Sequence, residues 1–216
     1  FCDSCFHVQL TEVVDPKELF EDHVYVSGTS KVFIDHFSRY AKTIVEKYNP
    51  SKQSYILDIG SNDGTFLKFF KELGFSVLGV DPAKEISKKA QAEGIETIND
   101  FFTSETANNI KQKYGEASLI TANNVFAHSD KLKEMTRAIS NLLAKDGLFI
   151  FEVSYLLDVY QKTFFDTIYH EHLSYHSVIP LNSFFRENGM TLIDVLRVDT
   201  HGGSIRCTVQ NQNGTR

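Results

Sequence analysis

Between residues 30 and 48 the apolar positions Phe33, Ile34, Phe37, Ala41, Ile44 and Val45 recur every three or four residues, the spacing of one helix face. Asn49-Pro50 ends that helix, because a residue before proline is pushed out of helical backbone angles. A short apolar run over 55–59 then reads as a buried strand. The turn GSNDG follows it, then a helical pattern at Phe66, Leu67, Phe70 and Leu73 with Gly74 as the stop. The alternation continues with a strand over 76–80, a helix after Asp81-Pro82, and a short strand over 95–98. A further helix precedes a strand over 118–121, and a helix over 131–143 leads to a strand over 148–153. Strands alternating with helices across short loops predict right-handed crossovers and a parallel sheet covered on both faces. Past Ser154 the periodicity gives way to an aromatic- and histidine-rich insert, DVYQKTFFDTIYHEHLSYHS, before a helix over 181–188. The last apolar runs, 191–198 and 204–210, are expected to close the sheet as an antiparallel hairpin.

The chain has 216 residues, 42% of them hydrophobic, which is enough for one sizeable core and points to one main domain with an appendage. A formal net charge of −6 offers no general attraction for nucleic acid or an anionic membrane. No run approaches the ~20 apolar residues of a membrane span, and the charged start FCDSCFHVQLTEVVD does not read as a secretory signal. The cytoplasm is the expected location. Three cysteines, Cys2 and Cys5 in a C-x-x-C and a solitary Cys207, do not make a disulfide framework. The C-x-x-C is half of a tetrahedral zinc site, and only His7 is close enough in sequence to add a third ligand.

The run YILDIGSNDGTFLKFF puts Asp58 near the end of the first strand of the alternating pattern and Gly60 and Gly64 in the turn before a helix. Glycines there allow backbone to approach a ligand closely, and the helix start presents free N–H groups. Asp81 ends the second strand in VLGVD, where a carboxylate can accept hydrogen bonds from both ribose hydroxyls of an adenosine. A pyrophosphate-binding turn would read G-x-G-x-x-G, but Asn62 stands in place of the second glycine, so a nicotinamide cofactor is the weaker reading. S-adenosylmethionine has no pyrophosphate and carries an ammonium group, which Asp58 and Asp63 could meet. The loop resembles motif I of class I methyltransferases, with Asp81 at the position of their ribose-binding acid.

Seven segments carry a more specific likeness: HVYVSGTSKVF, LDIGSNDGTFL, GVDPAKE, ITANNVFAHSDKL, FEVSYL, FDTIYHEHLSYHS and THGGSIR. In this order they resemble the bacterial nucleotide-sugar C-methyltransferases, which modify 6-deoxy-ketosugars. The resemblance implies an α/β, Rossmann-like class I methyltransferase fold, with a mostly parallel sheet and a C-terminal antiparallel hairpin. It divides the chain into residues 1–49, the remnant of an N-terminal zinc module plus a leading helix, and residues 50–216, a cofactor domain with a catalytic insert near 155–178. Cys2 and Cys5 match the second cysteine pair of that module, so zinc is expected in a full-length protein and not in this chain alone. The start at Phe1 and end at Arg216 imply a core truncated at both ends. Thr29 stands where some relatives have an active-site tyrosine.

The resemblance also places side chains. Asp58, Gly60, Asn62 and Gly64 would surround the cofactor, Asp81 would hold its ribose, and Asp100 and Phe101 would flank its adenine. Asn123 would line the transfer site, and His128 would face the substrate. Chemistry on a carbon next to a ketone needs a base near neutral pH and a group that orients it. In YHEH the implied base is His172, supported by Glu171 and Tyr169. If the segment were extended, Tyr169 and Glu171 would face one way and His170 and His172 the other. A metal site from His170, His172 and His176 is the alternative. His201, Ser204 and Arg206, in the glycine-containing THGGSIR, are the expected contacts to the nucleotide sugar, since arginine pairs well with a diphosphate. The expected activity is methyl transfer from S-adenosylmethionine to carbon through an enolate. O-methylation of a sugar, or binding without turnover in a fragment, are the alternatives.

Overall fold

The computed structural model describes residues 1–21, 26–200 and 202–216. In chain order the elements are β1 (Val8–Gln9), α1 (Pro16–Phe20), α2 (Lys31–Tyr48), β2 (Tyr55–Ile59), α3 (Thr65–Glu72), β3 (Ser76–Val80), α4 (Lys84–Ala92), β4 (Thr97–Ile98) and α5 (Ser104–Tyr114). They continue as β5 (Ala117–Asn123), α6 (Leu132–Leu142), β6 (Leu143–Ser154), α7 (Leu156–Gln161), β7 (Ser174–Tyr175), α8 (Val178–Glu187), β8 (Met190–Val198) and β9 (Ser204–Asn211).

Seven strands form one sheet in the order β4-β3-β2-β5-β6-β9-β8. The first five pair in parallel, whereas β9 lies antiparallel to both β6 and β8. The expected mostly parallel sheet with a C-terminal antiparallel hairpin is therefore what the chain forms. All five residues of β2 are buried, as a central strand covered on both faces requires. Successive residues serve opposite faces: Ile56 packs with Phe37, Tyr40, Phe66 and Phe70 from α2 and α3, and Leu57 with Ile110, Ile139 and Phe185 from α5, α6 and α8. The helix α2 thus shares a core with the sheet.

Three differences from the periodicity have local causes. Strand β6 begins at Leu143, directly after α6, and a register shift between Ala117 and Leu119 absorbs the extra length. The helix α8 starts at Val178 because Pro180 falls in its first turn, where its missing N–H is tolerated. Short elements α1, α7, β1 and β7 have too few residues for a periodic signal. Among them, β1 pairs antiparallel with β7, so the N-terminal segment is stitched to the insert.

Candidate active site

The carboxyl ends of β2, β3, β5 and β6 open into a cavity of about 1040 Å³. On one side the chain leaves β2 through Gly60, whose φ of +67° is left-handed; a Cβ there would lie 2.4 Å from Cγ2 of Val125. Glycine lets the turn pass beneath the loop after β5. Asn62 is also left-handed, at φ +52°. Its N–H donates to Asp81 Oδ2 at 2.8 Å, and its side-chain oxygen accepts from the N–H of Ser27 at 2.9 Å. The N–H of Ala83 donates to Asp81 Oδ1 at 2.9 Å. Two backbone donors therefore fix the carboxylate of Asp81 at the strand end, while it still lines the cavity.

Asp100 and Phe101 line the same end, with Asp100 held by the N–H of Phe101 (2.8 Å) and the hydroxyl of Thr106 (2.9 Å). Asn123, at the end of β5, also lines it, and both polar atoms of its amide are buried without a hydrogen-bond partner. Such an amide is costly unless a ligand meets it. Asp58 and Gly64 lie behind the wall. Asp58 accepts from the Thr121 hydroxyl at 2.6 Å; burial, and then the charge of Asp81, push its pKa up to about 7. Gly64, at φ +75°, caps α3 against Ile95. Asp63, considered above as a contact to the cofactor's ammonium, instead accepts from Thr65 Oγ1 (2.7 Å) and from the N–H of Gly28 (3.2 Å).

The opposite side is built by the insert. Tyr169 to His172 form a turn closed by the His172 N–H on the Tyr169 carbonyl at 3.0 Å. The extended arrangement does not occur: the turn brings Tyr169 and His172 together, with ring centroids 4.4 Å apart and Tyr169 Oη 3.3 Å from His172 Nε2. His172 Nδ1 lies 2.8 Å from the carbonyl of Thr167. A carbonyl only accepts, so Nδ1 carries a proton, and in the neutral ring Nε2 is left with its lone pair. Burial, and then Glu171, raise the pKa of the Tyr169 phenol, keeping it protonated at neutral pH. Tyr169, Glu171, His172 and His128 all line the cavity, and His170 does not. His176 is buried against Phe126, 5.5 Å between centroids, and burial holds its pKa down at about 3. Among the described residues no three His, Cys, Asp or Glu side chains are grouped to hold a metal. Cys2 and Cys5 are exposed and supply two thiols, which is half of a zinc ligand set. Cys207 is buried, and burial pushes its thiol up to about 12.

The THGGSIR segment departs from its expected role. Arg206 is cross-strand from Glu152, and its Nε donates to Glu152 Oε1 at 2.7 Å. The guanidinium also lies over the Tyr40 ring at 3.3 Å, while the other oxygen of Glu152 bonds His36 Nε2 at 2.8 Å. This fork is occupied beneath α2, away from the cavity. Ser204 is buried with its hydroxyl on the Thr200 carbonyl at 3.0 Å. A Cβ on Gly202 would strike Phe164, and one on Gly203 would strike Asp158, each at 2.5 Å. Asp158 is 1% exposed and takes Arg197 Nε at 3.0 Å, so the glycines let the hairpin loop close onto α7. His201, and residues 23–25 of HVYVSGTSKVF, lie outside the described residues.

Pattern reading missed the Glu152 cluster, although a carboxylate inside the apolar run LFIFEV is a signal for a buried, paired charge. It also missed Lys17, Phe20 and Lys131 on the cavity wall, for which the sequence carries no local signal. Among the described residues, the wall holds seven carboxylates (Asp15, Asp81, Asp100, Asp130, Glu134, Asp166, Glu171) and two lysines, a field that favours a cationic ligand.

A turn over the strand ends, a carboxylate fixed at ribose distance in sequence, and an adjoining histidine site define the architecture of a class I methyltransferase. The chain belongs to the methyltransferase-domain family, whose model matches residues 32–195. The C-methyltransferase NovU of Streptomyces niveus is 37% identical over 204 residues, 94% of this chain and 49% of that protein. The chain thus spans about half the length of this curated relative. Among solved structures, a S-adenosylmethionine-dependent methyltransferase from Clostridium acetobutylicum has a TM-score of 0.63 at 16% identity, covering 84% of this chain and 92% of its own. The magnesium protoporphyrin IX methyltransferase of Synechocystis, with bound SAH, has a TM-score of 0.59 at 16% identity, covering 84% and 87%. These two likenesses concern the fold. Among the described residues no helix is long and apolar enough to cross a membrane.

Proposed function

We propose that this chain binds S-adenosylmethionine and methylates a carbon next to the ketone of a nucleotide-linked deoxysugar, with His172 as the base. The observation that carries the reading is the 2.8 Å contact of His172 Nδ1 with the Thr167 carbonyl, which in the neutral ring leaves Nε2 as the acceptor, in the same cavity as Asp81. Asp81 takes the ribose hydroxyls, Asp100 and Phe101 border the adenine, Gly60 and Asn62 form the turn beneath, and the unpaired amide of Asn123 meets the cofactor's polar end. Asp58 and Gly64 support that surface from behind. The sulfonium supplies an activated methyl group.

The protein's own residues then handle the proton. The ketone makes the adjacent C–H acidic by delocalising the anion as an enolate, and His172 Nε2 takes that proton. The proton stays on an imidazolium held at Nδ1 by the Thr167 carbonyl, and Glu171 lines the same cavity beside it. Tyr169 donates to Nε2 in the resting site and is released to the substrate oxygen when the C–H takes its place. His128 borders the sugar. The 37% identical C-methyltransferase supports carbon as the acceptor. With Arg206 and Ser204 engaged internally, the diphosphate is assigned to other groups than these.

Calorimetry with S-adenosylmethionine and with NAD tests the cofactor: micromolar binding of the first and none of the second is expected. Product NMR with a panel of nucleotide ketosugars tests the acceptor. A C-methyl signal is expected; an O-methyl signal instead would refute carbon transfer, and cofactor binding without turnover would make this chain a binding fragment of a longer enzyme.

A further inference from the structure

The rings at His172 do not stop at the insert. His128 stacks on His172 at 5.2 Å between centroids and 26° between planes. It also stacks on Phe20, the last residue of α1, at 5.4 Å and 4°. Three distant stretches of chain therefore meet ring on ring at the catalytic turn. The N-terminal segment that carries Phe20 is fastened to the far end of the same turn. The Leu10 N–H donates to the Leu173 carbonyl at 2.9 Å, Val8 and Gln9 pair with Tyr175 and Ser174, and His7 Nε2 lies 3.2 Å from Ser174 Oγ. Phe20 and the strand over Val8–Gln9 precede residue 32, where the family match begins.

An imidazole fixed by one hydrogen bond can still swing about that bond. In the resting site His172 is bonded at Nδ1 by Thr167 and at Nε2 by Tyr169; once substrate takes the place of Tyr169 only the Nδ1 bond is left, and the His128 ring on its face then limits the swing, provided His128 is itself held. Near-parallel contact with Phe20 holds it, since stacked aromatic rings attract beyond simple burial. We propose that Phe20 is a positioning residue: by fixing the His128 ring it fixes the direction in which His172 Nε2 faces the substrate carbon. The N-terminal segment is then a working part of the active site. This inference rests on the reading of His172 as base.

The test uses the full chain with Phe20→Leu, which keeps apolar bulk without a ring, and Phe20→Tyr, which keeps the ring. Without any acceptor, NMR shifts of the His172 and His128 ring protons should move in Phe20→Leu and stay near wild type in Phe20→Tyr. With the best ketosugar of the panel, Phe20→Leu should lower kcat on the order of tenfold, as small misplacements do, with KM for acceptor and affinity for S-adenosylmethionine unchanged. Phe20→Tyr should restore turnover. Unmoved ring shifts, an unchanged kcat, or equal loss in both variants would overturn the proposal. So would a raised acceptor KM at unchanged kcat, which makes Phe20 a substrate contact, or lost cofactor affinity, which makes it a structural residue. His172→Ala run in parallel separates the two layers. If it remains active, the base assignment is wrong; if it is inactive while Phe20→Leu behaves as wild type, only the positioning role is wrong.

Discussion

The two ends of the cavity are built by different means. At the Asp81 end, regular elements do the positioning: β2 and β3 pair through five consecutive residues, and the carboxylate of Asp81 is held by the N–H groups of Asn62 and Ala83. At the His172 end there is little regular structure. A two-residue bridge, one turn and a set of stacked rings hold the groups that would do the chemistry. Backbone hydrogen bonds in a sheet tolerate side-chain change, while ring stacks and single side-chain bonds do not. Substitutions at the first end should therefore act on cofactor affinity, and those at the second on turnover.

The largest effect is expected at the second end. His172→Ala should keep its affinity for S-adenosylmethionine and lose about 10²- to 10⁴-fold in kcat, the usual contribution of a positioned base. Steady-state rates beside calorimetry decide this. Near-normal turnover there, with Tyr169 or Glu171 variants inactive, would transfer the role to one of those neighbours.

Next comes Asp81→Asn, which keeps one oxygen to accept from the backbone but loses the charge. Its affinity for S-adenosylmethionine should fall about 10- to 100-fold, as expected for a charge-assisted hydrogen bond, and kcat at saturating cofactor should change little. A fall in kcat at unchanged affinity would erase the distinction between the two ends.

The smallest effects sharpen the contrast through pH. Asp58, at the cofactor end, has its folded pKa raised from 3.8 to about 7. Between those values the unfolded chain has released a proton that the folded one keeps, so this group makes stability fall as pH rises. His176, behind the insert, has its folded pKa lowered from 6.5 to about 3. Over that window the unfolded chain binds a proton that the folded one excludes, so stability falls as pH drops. The two slopes oppose each other between about pH 4 and 6.5, each on the order of 1 kcal/mol per pH unit. Urea midpoints of Asp58→Asn should rise with pH across this range relative to wild type, and those of His176→Phe should fall. Parallel pH curves for all three proteins would show that neither group is perturbed as described.

The same division governs what could be read from the sequence. Gly60, Asn62, Asp81 and the strand–helix order were legible because one β-strand period and one turn place them, and those are local properties of the chain. The YHEH cluster was visible as residue types, but its geometry was not. An extended segment would have separated Tyr169 from His172, whereas the observed turn puts them in contact. Arg206 shows the same limit: an arginine beside two glycines suits a diphosphate, but its strand pairing opposite Glu152, where a buried carboxylate needs a partner, is not readable from the local sequence.

From the order of apolar runs alone, then, follow the parallel sheet, its hairpin and the cofactor turn, since hydrophobic period and glycine backbone freedom act within a few residues. Only the tertiary structure decided that Asp58 is buried behind the wall, that Arg206 belongs to Glu152, and that Phe20 stacks on His128. Those contacts join residues 54 to 108 positions apart in the chain, and side-chain partners at such separations are set by packing and register, which no local pattern encodes.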